Sequence, residues 1–391
     1  MNQSIELTVL MPCLNEEKTL GVCIKKALAC MERLGVVGEV VIADNGSSDR
    51  SVEIAQLLGA RVIHVVDRGY GAALIAGVHA AQGQYVVMGD SDDSYDFSAL
   101  DGFVAQLRKG ADLVMGNRFS GSIHKGAMPP LHQYLGNPVL SFLGRLFCNT
   151  KIGDFHCGLR GFNREKILSL GLACAGMEFA SEMIVKAANR GLCIVEIPVN
   201  LYRDGRDRAP HLRSFRDGWR HLRFLLLASP KWLFFYPGVT IFSLSLLVFF
   251  VVLPRPLMLG SVGLDIHSLV YLSAGIIVGI QMIIFSSLLD RISESYGFQK
   301  ASLMAIKLRQ ALTFERALML GGLFVALGLF LAGEAFSLWG NSRFGVMEPQ
   351  LLMRKVVPSS LSIIVGLQFI LGGALMAGLE MIHSTARAVR Q

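Results

Sequence analysis

The chain has 391 residues, 52% of them hydrophobic and only 17% charged, with a formal net charge of +7. The charged share lies below the roughly 25% of soluble domains, and the deficit sits in residues 231–391, which excludes a uniformly soluble protein. Seven cysteines (Cys13, Cys23, Cys30, Cys148, Cys157, Cys174 and Cys193) with no C-x-x-C pair and no metal-ligand spacing exclude a disulfide framework or a zinc module.

The N-terminal stretch "MNQSIELTVLMPCLNEEKTL" lacks a basic n-region, so no secretory leader is expected. Its apolar run "ELTVLM" predicts a first strand, and a helix is predicted from Glu16 to about Leu34. Next come "EVVIA", the helical "SDRSVEIAQLLG" with Ser48 or Asp49 as its cap, and then "RVIHVV", "GAALIAGVHAAQG", "QYVVMG" and "ADLVMG". The strands are continuous apolar runs, as expected where both sheet faces are covered. Repeated βα units predict an α/β domain with a mostly parallel, doubly wound sheet. Such sheets bind ligands beyond the carboxyl ends of their strands. Those ends carry Pro12–Glu16, Asp44–Asp49, Arg68–Gly71 and Asp90–Asp96.

Each strand end has a bland and a functional reading. Pro12, Asn15 and Glu16 could simply open a helix, and Asp44, Asn45, Gly46 and Ser47 could be only an exposed turn. Gly69 and Gly71 permit close backbone approach to a ligand, and the following helix offers its N-terminus to an anion. A dinucleotide-binding fingerprint does not fit, because the third glycine and the distant acid are missing. In "GDSDDSYDF", an EF-hand loop starting at Asp90 would need glycine and glutamate where Tyr95 and Asp101 stand. What remains is Asp90-Ser91-Asp92, a carboxylate pair suited to a divalent cation that completes its shell with substrate phosphates.

Further along, Gly/Pro-rich residues 120–137 read as a surface loop or an acceptor-site lid. Arg213, Arg216, Arg220 and Arg223 then fall on one helical stripe, with Phe215, Trp219, Leu222 and Leu226 on an adjacent one. That pattern predicts an interfacial helix whose arginines either set topology or also hold an anionic lipid. Four apolar segments follow, at about 233–253, 267–289, 317–339 and 360–382, each near the roughly 20 residues that span a bilayer. Glu334 interrupts the third. Arg291, Lys300, Lys307, Arg309 and Arg316 crowd the loop between the second and third segments, whereas the first connecting loop has Arg255 alone. The bias places both termini and the α/β domain on the cytoplasmic side of the cell (inner) membrane. The expected organisation is a cytosolic domain over 1–210, an amphipathic linker helix over 211–231 and an all-α transmembrane region over 232–391.

The succession P-x-x-N-E, D-N-G-S-S-D, R-G-Y-G-A-A and D-S-D resembles the family-2 glycosyltransferases. More narrowly, it is similar to the dolichyl- or polyprenyl-phosphate sugar synthases, with further matches in "ADLVMGNRF", "GDFHCGLRGFNRE" and "GMEFASEMIVKAANRGLCIVEIPV". The resemblance covers about residues 6–230. It implies a GT-A-type (Rossmann-like) fold and inverting transfer of a hexose from GDP- or UDP-hexose to polyprenyl (dolichyl or undecaprenyl) phosphate, with Mg²⁺ or Mn²⁺ as cofactor. The implied donor-binding residues are Pro12, Asn15, Glu16, Asp44, Asn45, Gly69, Gly71, Asp90 and Ser91, with Asp90 and Asp92 on the metal. Asp92, Arg118, Asp154, Arg160 and Glu182 are the implied catalytic set, Asp154 and Glu182 as organisers. Arg118, Arg213, Arg216 and Arg220 are the candidates for the lipid phosphate. A structural ion pair is the alternative for Arg118 and Arg160. Two departures stand out: Asp44-Asn45 where relatives commonly have two aspartates, and "DSYDF" in place of a polar-Pro turn after Asp92. No nucleic acid is expected as a partner, and a homo-oligomer is compatible with the sequence. Rival readings are a transferase acting on a glycolipid or polysaccharide hydroxyl, which would carry a Q-x-x-R-W signature absent here, and a non-catalytic membrane protein with a degenerate nucleotide-binding domain.

Overall fold

A computed structural model of the chain describes residues 4–206, 214–300, 306 and 313–388. The chain divides into two compact units, one made of 1–228 with 297–299 and the other of 229–296 with 300–391.

The first unit is built on a seven-stranded sheet in the order β3-β2-β1-β4-β6-β5-β7. Its strands are β1 (Leu7–Cys13), β2 (Gly38–Asp44), β3 (Arg61–His64), β4 (Tyr85–Met88), β5 (Leu113–Asn117), β6 (Arg160–Asn163) and β7 (Ile194–Pro198). All pair in parallel except β6, which runs antiparallel between β4 and β5. The mostly parallel sheet expected from the apolar runs is present. β1 is flanked by β2 on one side and β4 on the other, so the chain's winding reverses there and leaves a crevice beyond the strand ends. Register sets Cys13 opposite Asp44 and Leu10 opposite Met88, which brings three of the strand-end motifs side by side.

Helices cover both faces. On α1 (Leu20–Arg33), Leu20, Cys23, Ile24, Ala27, Cys30 and Met31 recur at helical spacing and are buried. They pack in one core layer with Phe97, Phe103 and Leu107. The opposite layer joins Ala73, Leu74 and Val78 of α3 (Tyr70–Ala80) to Phe179, Met183 and Ile184 of α7 (Phe179–Arg190). α1 begins at Leu20 and not at Glu16, because Asn15 takes a left-handed turn with φ of 58°. The segment read as a loop over 120–137 is irregular only in its first part. Residues His132–Gly136 form a π-helical turn that runs into α5 (Asn137–Cys148).

Among the described residues, the second unit contains four helices long and apolar enough to cross a membrane, Lys231–Val252, Ile266–Ser295, Phe314–Asn341 and Pro349–Ile382. The third and fourth approach closely through glycine. A methyl on Gly321 would lie 2.6 Å from the Gly366 carbonyl, and one on Gly328 would lie 2.8 Å from the Ser359 carbonyl. Glu334, the charge that breaks the apolar run of the third helix, accepts from Lys355 Nζ of the fourth at 2.7 Å. Arg354 in turn pairs with Asp265 at the start of the second.

Candidate active site

Beyond the ends of β1, β2 and β4 the first unit holds an open cavity of about 770 Å³. Of the residues singled out in the sequence, Pro12, Glu16, Asn45, Gly69, Asp90, Ser91, Asp92, Arg118, Arg160, Arg216 and Arg220 line it. Asn15, Asp44, Gly71, Asp154 and Glu182 stand behind this lining. Arg213 lies outside the described residues.

Residues behind the lining act through loop geometry. Asn15 donates its backbone N–H to Ser47 Oγ at 2.9 Å and accepts from the Ser48 N–H at 2.7 Å, which locks the β1 and β2 loops together. The Asp44 carboxylate accepts the N–H groups of Gly46 and Ser47 inside its own turn. Asn45 uses both halves of its amide: Nδ2 donates to the Asp67 carbonyl and Oδ1 accepts from the Gly69 N–H. An aspartate there could not make the first bond, which gives a physical reason for the Asp44-Asn45 departure. The glycines also serve a nearer neighbour than a ligand. A methyl on Gly69 would lie 2.2 Å from the Ala175 carbonyl, and one on Gly71 would lie 2.1 Å from the Cys174 carbonyl. The close backbone approach read from Gly69 and Gly71 is thus made by the protein's own 173–176 loop. That loop is held from below by buried Glu182, which accepts from the Ala173 and Cys174 N–H groups and pairs with Lys186 Nζ at 2.8 Å.

The carboxylates form the acidic part of the cavity. Burial and the neighbouring charge of Asp92 push the Asp90 carboxyl up to about 6, opposed by a hydrogen bond from Tyr70. A methyl on Gly158 would sit 2.7 Å from Asp90 Oδ2, so a glycine is needed to admit that carboxylate. Asp92 accepts from the Ser94 N–H and hydroxyl on Oδ1, and Arg206 Nη1 lies 3.1 Å from its Oδ2. Two adjacent carboxylates, whose mutual repulsion a bound positive charge would relieve, are the donor chemistry a hard divalent cation requires. Among the described residues no group of three or more His, Cys, Asp or Glu side chains gathers around one point. Such an ion would therefore take the rest of its shell from water and substrate oxygens, and within that limit the residues fit it. Asp93 and Asp96 take no part: Asp93 pairs with Lys26 at 2.8 Å, and Asp96 accepts from the Ser98 N–H and hydroxyl.

The cationic part is more committed than the sequence suggests. Arg118 grips Asp154 with two bonds, 2.7 and 2.8 Å, and Asp154 is fully buried. Fully buried Arg160 donates to the carbonyls of Cys157, Ala180 and Phe155, and burial pulls its pKa down. The structural ion pair kept open for Arg118 is therefore present, whereas Arg160 knits backbone. Arg216 and Arg220, on α8 (Ser214–Ala228), reach the cavity wall on either side of buried Asp217.

Several lining residues carried no signal in the sequence. Arg206, outside the arginine stripe of the linker helix, binds Glu16 and Asp92. His156 and His221 also line the cavity, with rings 4.5 Å apart edge to face. His221 shares a hydrogen bond of 3.0 Å with Ser181 Oγ, while both ring nitrogens of His156 are buried with no hydrogen-bond partner among the described residues. These residues meet only through the fold, from the β6 loop, the 201–206 segment and α8.

Residues 8–171 match glycosyl transferase family 2, and residues 288–380 match the glycosyltransferase family 2 C-terminal transmembrane region. The chain is 33% identical to the low-salt glycan biosynthesis hexosyltransferase Agl6 of Haloferax volcanii over 374 residues, 95% of this chain and 89% of that protein. It is also 33% identical to a dolichyl-phosphate hexose transferase of the same organism, over 50% of this chain and 82% of that one. Among solved structures, glucosyl-3-phosphoglycerate synthase from Mycobacterium tuberculosis in complex with phosphoglyceric acid aligns at 22% identity with a TM-score of 0.45, over 56% of this chain and 79% of that one.

Proposed function

The chain belongs to glycosyltransferase family 2, and from that membership we propose that it transfers a hexose from a nucleotide sugar to a polyprenyl phosphate, with inversion, at the cytosolic face of the membrane. One observation carries the reading. A single cavity gathers the carboxylates Asp90 and Asp92 together with Arg118, Arg216 and Arg220, in a chain with four helices of membrane-spanning length. The names of two relatives, a hexosyltransferase and a dolichyl-phosphate hexose transferase, support a hexose as the sugar and a polyprenyl phosphate as the acceptor.

Asp90 and Asp92 would hold Mg²⁺ or Mn²⁺, which when bound supplies neutralising charge for the departing nucleoside diphosphate. Glu16, Asn45 and the 67–69 turn form the neighbouring wall for the donor. The acceptor phosphate is ionised near neutral pH, with a second pKa of about 6, so it attacks the anomeric carbon without a general base. That suits a site whose other buried carboxylates are already engaged, Asp154 by Arg118 and Glu182 by Lys186. Arg216 and Arg220 orient the lipid phosphate, and the Arg118–Asp154 pair fixes the cavity wall between the two substrates. Attack opposite the leaving diphosphate inverts the anomeric centre.

The test is incubation of the purified protein with radiolabelled UDP- and GDP-hexoses, polyprenyl phosphate and Mn²⁺, followed by chloroform extraction. A labelled, chloroform-soluble product is expected with at least one donor; none with any common donor would refute the reading. Asp92→Ala should lower transfer by more than about 100-fold, the scale of losing about 3 kcal/mol of transition-state stabilisation, while the apparent Tm stays within a few degrees. Near-normal transfer by this variant would place the cation elsewhere.

A further inference from the structure

Arg206 lies against two of the cavity's carboxylates, Glu16 and Asp92. Its Nη2 lies 2.7 Å from Glu16 Oε1, its Nε donates to Glu16 Oε2 at 3.0 Å, and its Nη1 lies 3.1 Å from Asp92 Oδ2. The side chain is only 15% exposed, so these bonds are made largely away from water. The backbone holds it there as well. The Gly205 N–H donates to the Asp92 carbonyl at 3.0 Å, and the Tyr202 N–H donates to the Ser94 carbonyl at 2.9 Å. With Ser94 on Oδ1 and Arg206 on Oδ2, both oxygens of Asp92 are already engaged.

We infer that Arg206 is a resident cation, holding Glu16 and Asp92 until a divalent metal arrives together with a nucleoside diphosphate, so that metal binding is conditional on nucleotide. The inference rests on the metal–diphosphate reading given above. A divalent ion alone would have to share Asp92 with a guanidinium fixed nearby, adding two positive charges where one is already paired. A diphosphate changes the balance, because its oxygens offer the displaced guanidinium a new anionic partner within reach of the same backbone anchor. Arg206 is thus a positioning residue that keeps the carboxylates apart from free metal and turns toward the donor when it binds.

The test uses the full chain in detergent and reads free Mn²⁺ by electron paramagnetic resonance, independently of turnover. Wild type, Arg206→Ala and Arg206→Lys are titrated with Mn²⁺ alone and with Mn²⁺ plus UDP or GDP. Arg206→Ala should bind Mn²⁺ alone about tenfold more tightly than wild type, and the gain in Mn²⁺ affinity on adding nucleotide should shrink by a similar factor. Arg206→Lys keeps the charge without the forked geometry and should fall between the two, which guards against a misfolded alanine variant. Equal Mn²⁺ affinity of wild type with and without nucleotide, or no tightening in either variant, would overturn the inference. Failure of wild type to bind Mn²⁺ under any of these conditions would instead overturn the underlying metal–diphosphate reading.

Discussion

Asn45 shows how a single side chain can be fixed by loop chemistry at the edge of a substrate cavity. Its Nδ2 needs the Asp67 carbonyl and its Oδ1 needs the Gly69 N–H. Asn45→Asp keeps size and one acceptor but sets a carboxylate against a carbonyl oxygen. The expected outcome is a loss of about 1–3 kcal/mol, read as a lower apparent Tm, with a raised KM for the sugar donor because the 67–69 turn also lines the cavity. An unchanged Tm would mean that the turn tolerates the carboxylate. At this scale the sequence reveals position better than orientation. The strand-end acids and amides are legible because a strand's end follows from its apolar run. Whether Asp44 faces a ligand or its own loop is not, since that depends on which N–H groups the turn presents. Arg206 was the least legible residue, because its partners Glu16 and Asp92 lie far away in sequence and only the sheet order brings them close.

The helix α8 makes a similar point at the level of an element. The arginine and aromatic stripes are readable from spacing, and Phe215 and Trp219 are exposed as an interfacial helix requires. The stripe that anchors α8 is different: Asp217, His221, Leu225 and Ala228 are the buried positions, and two of them are polar. A hydrophobic pattern cannot announce a face that begins with an aspartate and a histidine. α5 was hidden for another reason, since the Gly and Pro residues before it read as loop. It carries Val139, Phe142 and Leu146 in an exposed apolar row with Leu135 of the preceding turn. Burying His221 has a measurable consequence. Burial, then the positive charge of Arg160, lowers its pKa to about 4, partly opposed by Asp217. The unfolded chain, with histidine near 6.5, binds the proton first. Stability associated with neutral His221 is therefore complete above about pH 6.5 and is lost as pH falls toward about 4. Between pH 6.5 and 5 one such group accounts for about 2 kcal/mol. Thermal unfolding of the detergent-solubilised protein should show the apparent Tm falling over this interval, and His221→Gln should flatten the fall. His156, also held well below its usual range by burial and by His221, should leave a residual slope. An identical slope in the variant would exclude His221 as a source of the acid sensitivity.

For the whole molecule, the apolar segments that stand out in the sequence correspond to four helices of spanning length, and the chain is a membrane protein. Their existence was legible because a bilayer demands long apolar runs without relief; their glycine contacts and the Lys355–Glu334 pair were not, because partners on separate helices leave no local pattern. Orientation is a separate matter, carried by the basic loop between the second and third helices, and the proposed cytosolic placement of the first unit can be tested through its own thiols. Cys193 is the exposed cysteine of the set, while Cys148 and Cys174 are partly covered and the other four are buried. Burial pushes the thiols of Cys23, Cys148 and Cys174 up to about 12 and those of Cys13 and Cys157 up to about 11. Such thiols are poor nucleophiles near neutral pH. A membrane-impermeant maleimide should therefore report Cys193 selectively, and Cys193→Ser should remove the signal. If the first unit is cytosolic, inverted membrane vesicles should label promptly and sealed right-side-out vesicles only after detergent is added. Prompt labelling of right-side-out vesicles would place the cavity on the opposite face, where nucleotide sugars from the cytosol could not reach it, and would refute the proposed site of the reaction along with the topology.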